Sequence, residues 1–373
     1  MREISDKERA RDLANRSIGR TLRNKWCIER LIGMGGMANV YAARHRNGRQ
    51  VAIKMLYPEF AVHEEVRERF LREGYIANRI DHPGVVGILD DDETEDGIAF
   101  LVMELLRGES LHERLVSVSV LPLAEALFIA DQVLDVLKAA HEADVVHRDI
   151  KPGNVFLLRD GRIKVLDFGL ARVLDGQTQI LTSQGVVMGT VSFMSPEQAR
   201  ATPGTVDHRA DLYAVAATLF HALTGEFVYP ARTVMERLSA VMSQDARSIA
   251  TVLSNLPSRV TTAIDKALRS HRDERWPDAA AMQWEIREAF QEITGNQIPE
   301  TRRRQLHGVP GWTRPTSPLA QRESTSQAIT AVDVSVTLES PPSERSLQVS
   351  VVFEPDSSQE SLGIPIEIDT SKL

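Results

Sequence analysis

Two short stretches concentrate the residues of this chain that could do chemistry. They are His147-Arg148-Asp149-Ile150-Lys151-Pro152-Gly153-Asn154 and, thirteen residues after Asn154, Asp167-Phe168-Gly169. A carboxylate at Asp149 can accept a hydroxyl proton, while the ammonium of Lys151 can neutralise a negatively charged group in transfer. Asn154 and Asp167 offer oxygen atoms, the ligand type that suits Mg²⁺. Such chemistry depends on positioning, which directs attention to the elements between the two stretches. Val155-Phe156-Leu157-Leu158 and Ile163-Lys164-Val165-Leu166 are apolar runs of equal length around Arg159-Asp160-Gly161-Arg162, the pattern of a hairpin with a Gly-containing turn. Facing residues of an antiparallel pair lie ~4.5 to 5.5 Å apart, so the hairpin is expected to bring Asn154 and Asp167 side by side.

Each triplet alone arises by chance, but their order and spacing resemble the catalytic loop and metal-binding motif of the eukaryotic-like (Hanks-type) Ser/Thr protein kinases of bacteria. The resemblance implies an α+β, two-lobed protein kinase fold, with a small antiparallel-sheet N-lobe carrying one main helix and a larger, mainly α C-lobe. It implies transfer of the γ-phosphoryl group of ATP to Ser or Thr hydroxyls of proteins, with Mg²⁺ as cofactor and Mn²⁺ as an alternative ion. On this resemblance Asp149 is the base, Lys151 and Thr190 its helpers, and Asn154 and Asp167 the metal ligands. His147 is assigned to packing. Lys151, two residues after the aspartate, favours Ser/Thr over Tyr kinases.

Ahead of the loop the chain should build a sheet. From Trp26 come short apolar runs: residues 27–32, then Val40-Tyr41-Ala42-Ala43, then Asn47-Gly48 as a hairpin turn before Val51-Ala52-Ile53-Lys54-Met55. Gly33-Met34-Gly35-Gly36-Met37-Ala38 lies between the first two, where absent side chains let backbone amides approach phosphates. Ala38 stands where the kinase pattern has a third glycine. By resemblance Lys54 holds the α- and β-phosphates and pairs with Glu73, in a helical stretch with Val66, Phe70, Ile76 and Ile80 on one side that His82-Pro83 should end. Residues 99–104 read as a strand leading into a hinge, Leu105-Leu106-Arg107-Gly108. The resemblance gives the Glu104 carbonyl and the Leu106 amide to the adenine edge, Met103 to the pocket behind it, and Ile32, Val40, Ala52 and Leu157 to its walls. As apolar residues, these four would equally suit plain core.

After Leu111 the period turns helical, with Leu123, Leu127, Ala130, Val133, Leu134 and Leu137 along one long helix. Asp211 could cap a helix, or, as in the family, accept hydrogen bonds from the catalytic loop. Ser195-Pro196-Glu197 stands for the family's Ala-Pro-Glu, and Arg275 is the expected partner of Glu197. The last helix should run from Pro277 to about Thr294. The resemblance covers residues 24–296, divided into an N-lobe, 24–106, and a C-lobe, 107–296. Residues 1–23 read as a charged extension, frayed or helical, and 297–373 as a Ser-, Thr- and Pro-rich acidic tail, disordered by composition. Within the tail, residues 332–338, 347–353 and 364–368 alternate at strand spacing.

The chain has 373 residues, 42% of them hydrophobic and 26% charged, ordinary for a soluble globular protein. A formal net charge of -8 argues against a nucleic-acid partner. The single cysteine, Cys27, excludes an internal disulfide and points to a reducing compartment, hence the cytoplasm; beside Trp26 it reads as a small core residue. No apolar run of membrane-spanning length and no signal peptide is legible.

Expected partners are protein substrates and the chain itself through autophosphorylation, a phosphoprotein role in signal transduction; a homodimer is compatible with the reading. Arg148 beside the catalytic aspartate suggests a phosphorylation switch over residues 170–194. Candidates there are Thr178, Thr182 and Ser183, with Thr182 favoured. Two rival readings differ in class. A pseudokinase would keep the fold as an interaction module, against which stand Lys54, Glu73, Asp149, Asn154 and Asp167 together. A small-molecule kinase would share Asp149 and Asp167, against which stand Ser195-Pro196-Glu197 and Gly189-Thr190.

Overall fold

The computed structural model describes residues 6–168, 191–201 and 204–298. Its first lobe is an antiparallel sheet of β1 (Thr21–Leu22), β2 (Trp26–Met34), β3 (Ala38–His45), β4 (Gln50–Leu56), β5 (Ile88–Glu93) and β6 (Ala99–Glu104), in the order β1-β2-β3-β4-β6-β5. The Asn47-Gly48 turn forms as expected, with Gly48 at φ 91°. Both faces of the central strands are buried, so β6 reads as an apolar run up to Glu104 and β4 as one interrupted only by the buried Lys54, rather than as alternating strands. One face, with Ala52, Leu101 and Met103, packs with Phe70 of the helix α3 (Glu64–Ala77), which follows the single turn α2 (Pro58–Ala61). The other, with Tyr41, Ile53, Phe100 and Val102, packs with Leu22 and Trp26.

This second face gives the N-terminal residues a place in the fold. They were expected as a charged extension, yet α1 (Asp6–Asn15) buries Ala14, and Leu22 of β1 has no exposed surface. β1 pairs with β2 through Thr21↔Cys27 and Leu22↔Trp26. Charge dominates the composition here, but two well-placed apolar side chains suffice to dock the segment. Cys27 corrects the sequence reading: it is exposed, because strand alternation turns its neighbours Trp26 and Ile28 inward and Cys27 outward. The helix α3 also stops short of His82-Pro83. Asn78, just after it, turns its side chain to β5, donating to the Ile88 carbonyl and accepting from the Ile88 N–H.

Past the hinge the chain becomes helical. β7 (Gly108–Ser110) leads into α4 (Leu111–Val118) and α5 (Leu123–Glu142). The helix α5 is buried nearly all round, beyond the apolar stripe its periodicity predicts, with Leu127, Leu134 and Leu137 fully covered and Glu125 and Asp131 buried too. It packs among α7 (Arg209–Thr224) and α10 (Ala279–Thr294), where Phe128 meets Phe290 at 6.2 Å. Between them along the chain lie β8 (Val155–Leu158), β9 (Ile163–Val165), α6 (Pro196–Ala199), α8 (Val234–Ser243) and α9 (Ser258–Ala267). The last helix starts at Ala279 because Asp278 caps it, accepting from the Ala281 N–H at 2.8 Å. Among the described residues no helix is long and apolar enough to cross a membrane. The three alternating segments of the tail lie outside the described residues.

Candidate active site

The hairpin that should join the two motifs forms, with a register one residue away from expectation. Val155 faces Val165, and Asn154 faces Leu166, whose N–H donates to the Asn154 carbonyl at 2.9 Å. The four-residue turn read from the sequence is a three-residue loop, because Arg162 pairs with Leu158 and Gly161 takes φ 86°. Asp167 therefore sits one step beyond the partner of Asn154. It has φ 59°, left-handed backbone that a side-chain-bearing residue rarely adopts.

Within the site Arg148, at φ 66°, is the second such residue, and its strain of ~1 to 3 kcal/mol needs an external hold. Asp211 supplies it from the first turn of α7. Its Oδ1 accepts from the Arg148 N–H at 2.7 Å, and its Oδ2 from the His147 N–H and His141 Nε2, both at 2.9 Å. From the other side Gln198 Nε2 donates to the Arg148 carbonyl at 2.7 Å. Burial alone would raise Asp211, but the hydrogen bond and charge of His141, the nearby His147 and the Arg148 N–H hold its carboxyl below the ordinary range. His147 is fully buried, 4.6 Å from the Phe168 ring, with Nε2 2.8 Å from the Leu166 carbonyl; it packs rather than reacts.

The loop so held presents Asp149. Lys151 Nζ donates to its Oδ2 at 2.8 Å, and Asn154 Nδ2 donates to the same oxygen at 2.9 Å and to the Asp149 carbonyl at 2.8 Å. With its nitrogen committed to Asp149, Asn154 has its amide oxygen left for a cation. Together with the Asp167 carboxylate this makes a pair of hard oxygen donors, which fits Mg²⁺.

Across from them, Lys54 Nζ lies 2.9 Å from Glu73 and 2.7 Å from Asp167. Burial would discharge Lys54, but Asp167 and Glu73 outweigh it and hold the ammonium above its ordinary range. Asp167 stays below the ordinary carboxylate range because Lys54 offsets its burial, whereas burial pushes Glu73 up against the pull of the same lysine. One cation thus ties α3, β4 and the second motif together.

The glycine-rich stretch, Gly33 to Ala38, spans the β2–β3 turn; Gly35, Gly36 and Met34 are exposed, Met37 is half-buried and Ala38 is buried. Ile32 is exposed at the rim, while Val40, Ala52, Met103 and Leu106 belong to one apolar cluster with Leu166. Leu157 corrects the sequence reading. It has no exposed surface and belongs to the C-lobe core, and strand alternation gives the opposite face of β8 to the half-buried Phe156. At the hinge, Glu104 donates its N–H to the Gly87 carbonyl at 3.0 Å, and its side chain accepts from the Gly87 N–H and from Lys164. β7 passes so close to β8 that a Cβ on Gly108 would lie 1.9 Å from the Leu157 carbonyl oxygen.

The expected Glu197–Arg275 pair is a buried, two-pronged contact with both N–O distances 2.7 Å. Thr190, with Thr178, Thr182 and Ser183, lies outside the described residues. Sequence reasoning passed over His141, Gln198 and Phe156. Gln198 had a signal, since Ser195-Pro196-Glu197-Gln198 has the spacing of a capping box, and Gln198 Oε1 does accept from the Ser195 N–H and hydroxyl.

Residues 26–285 match the family described as protein kinase domain. Serine/threonine-protein kinase PrkC of Bacillus subtilis is 36% identical over 274 residues, 73% of this chain and 42% of that protein. Serine/threonine-protein kinase pkn3 of Myxococcus xanthus is 40% identical over 215 residues, 56% of this chain and 39% of its own length. The crystal structure of the Mycobacterium tuberculosis PknI kinase domain aligns with a TM-score of 0.57 at 27% identity, covering 73% of this chain and 98% of that one. The chain spans about two fifths of the length of the first curated relatives it matches.

Proposed function

Because this chain belongs to the protein kinase family, we propose that it transfers the γ-phosphoryl group of ATP to Ser and Thr hydroxyls of proteins. The observation that carries the reading is the shared geometry of Asp149: one carboxylate oxygen held at once by Lys151 and Asn154, on a loop fixed by Asp211. Asp149 accepts the acceptor hydroxyl's proton as the oxygen attacks, and Lys151 offsets the charge on the moving phosphoryl group. Lys54, oriented by Glu73, holds the α- and β-phosphates, under backbone amides of residues 33–38. Mg²⁺, or Mn²⁺ in its place, supplies further charge neutralisation when bound, with Asn154 and Asp167 as its protein ligands. The Glu104 carbonyl and Leu106 amide face the adenine edge, between Ile32, Val40 and Ala52 on one side and Phe156 on the other, with Met103 behind.

The same reading extends to control. The chain autophosphorylates in residues 170–194, at Thr182 before Thr178 or Ser183, with Thr190 as a helper of Asp149. What supports this is Arg148, whose backbone is clamped from both sides, so that its guanidinium is a prepared partner for a phosphate. A cytoplasmic setting, a core domain over 24–296 and a tail after it complete the proposal, and a homodimer is compatible with it.

The test is radiolabelled transfer from ATP to a generic acceptor protein and to the chain itself, measured beside nucleotide binding. Asp149→Asn should abolish transfer and spare nucleotide affinity, whereas Asp167→Asn should weaken both. Wild-type transfer by the Asp149 variant would sink the mechanism, and nucleotide binding without transfer by the unaltered protein would favour the pseudokinase reading.

A further inference from the structure

The helix α1 lies ahead of the matched residues, yet a chain of polar contacts leads from it into the glycine-rich turn. At the C-terminal end of α1 the Ala14 carbonyl accepts from the Tyr41 hydroxyl at 3.0 Å. Tyr41 is buried on β3, and the Asn39 side chain, two residues back on the same strand face, donates Nδ2 to the same hydroxyl at 3.2 Å. The other end of the Asn39 amide, Oδ1, lies 3.2 Å from the Tyr57 hydroxyl, which also lies 2.8 Å from the carbonyl of Gly35. The Tyr57 N–H donates to the Met37 carbonyl at 2.8 Å, so backbone and side chain of one residue both grip the turn.

Proton counting makes these contacts a directed series. A tyrosine hydroxyl has one hydrogen. Tyr41 gives its hydrogen to Ala14, which leaves only lone pairs for Asn39 and so fixes the Nδ2 end of the Asn39 amide toward Tyr41. The amide oxygen must then face Tyr57. Tyr57 in turn holds its single hydrogen between that oxygen and the Gly35 carbonyl. Within the turn Met34, Gly35 and Gly36 are exposed, and the Gly35 N–H donates to the Ala38 carbonyl at 2.9 Å.

We infer that α1 is a positioning element for the phosphate-covering turn, acting through Tyr41, Asn39 and Tyr57 on the Gly35 carbonyl. The inference rests on the proposed nucleotide role of residues 33–38. It assigns to a segment outside the family match a part in setting nucleotide affinity. None of the three side chains touches the substrate. Each acts by limiting the conformations of backbone amides that would.

The experiment uses the full chain with Tyr41→Phe, Tyr57→Phe and the double variant, each of which keeps the ring and its packing. Hydrogen exchange of residues 33–38 is the first readout, since it needs no activity, and the KM for MgATP set against kcat is the second. Losing one hydrogen bond of this class should speed exchange in the turn and raise the nucleotide KM about two- to tenfold, with kcat little changed. The double variant should match the larger single effect rather than the product of the two, because both act on one series. Unchanged exchange at 33–38 in Tyr41→Phe, with normal folding by thermal melt, overturns the inference, as do multiplicative effects in the double variant. Absence of phosphoryl transfer by the unaltered protein would count against the kinase reading and leave the exchange result to decide this one.

Discussion

Replacing Asp211 by Asn changes one atom of a side chain that has no exposed surface, and the structure dictates the cost. The carboxylate accepts three hydrogen bonds: two on Oδ2, from the His147 N–H and His141, and one on Oδ1, from the Arg148 N–H. The amide can keep its oxygen on only one side, so its NH₂ must confront a buried N–H. Leaving such a donor unmade costs ~1 to 3 kcal/mol, and the remaining bonds lose their charge assistance, for a total of about 2 to 4 kcal/mol. For a domain of this size that is on the order of 3 to 8 °C in Tm. Arg148, released from one of its two clamps, would relax from φ 66° and shift Asp149, and a displacement of ~1 Å at a catalytic group costs roughly a hundredfold in rate. Nucleotide affinity should stay within about twofold, since Lys54 and the hinge are untouched. The pH dependence follows from the same contacts. The native carboxyl is held below its ordinary value of 3.8, so its stabilisation is complete above that value and is lost as pH falls through the lower native one. Thermal melts between pH 2 and 7, beside kcat and nucleotide binding, make the assay. A variant with wild-type Tm and kcat, and an unchanged acid limb, would refute the reasoning.

Two further substitutions probe contacts described above. Arg275→Met leaves Glu197 buried without its two-pronged partner and should lower stability by about 3 to 5 kcal/mol, read as a shift in the urea midpoint; an unmoved midpoint would show that the pair is dispensable. Gly108→Ala places a Cβ against the Leu157 carbonyl oxygen and should force β7 away from β8 at a cost of about 1 to 3 kcal/mol, weakening nucleotide binding at the adjoining hinge; equal stability and affinity in the variant would contradict the close approach.

The polar residues of the site were legible because their chemistry demands particular types at short, regular spacing. Asp149, Lys151 and Asn154 lie on one loop, and Asp167 one hairpin away. Lys54 with Glu73, Asp211 with the catalytic loop, and Glu197 with Arg275 are pairs far apart in sequence, and resemblance joined them where local pattern could not. The register of the β8–β9 hairpin was not legible, since equal apolar runs fit a three- or a four-residue loop and only the backbone of Gly161 decides between them. Leu157 was assigned to the wall of the site by resemblance, and alternation along β8 gives that face to Phe156 instead. Cys27 was misplaced by judging it from its neighbour rather than from alternation. Tyr57, Asn39 and Tyr41 carried no signal at all: their contacts form a series that ends on the Ala14 carbonyl, in an N-terminal stretch whose composition reads as solvent-exposed.

The docking of that stretch over the outer face of the sheet bears on how the domain should be cut for expression. The family match begins at Trp26 and ends at position 285, and both limits fall inside packed structure. Trimming there would strip Leu22 from above Tyr41, Ile53, Phe100 and Val102, and would remove Ile286, Ala289 and Phe290 from the helix that closes over α5. Newly bared apolar surface of this kind drives self-association. A fragment of residues 26–285 should therefore aggregate, and any activity lost with it would report on misassembly rather than on catalysis; the borders of detectable similarity are not the borders of the folding unit.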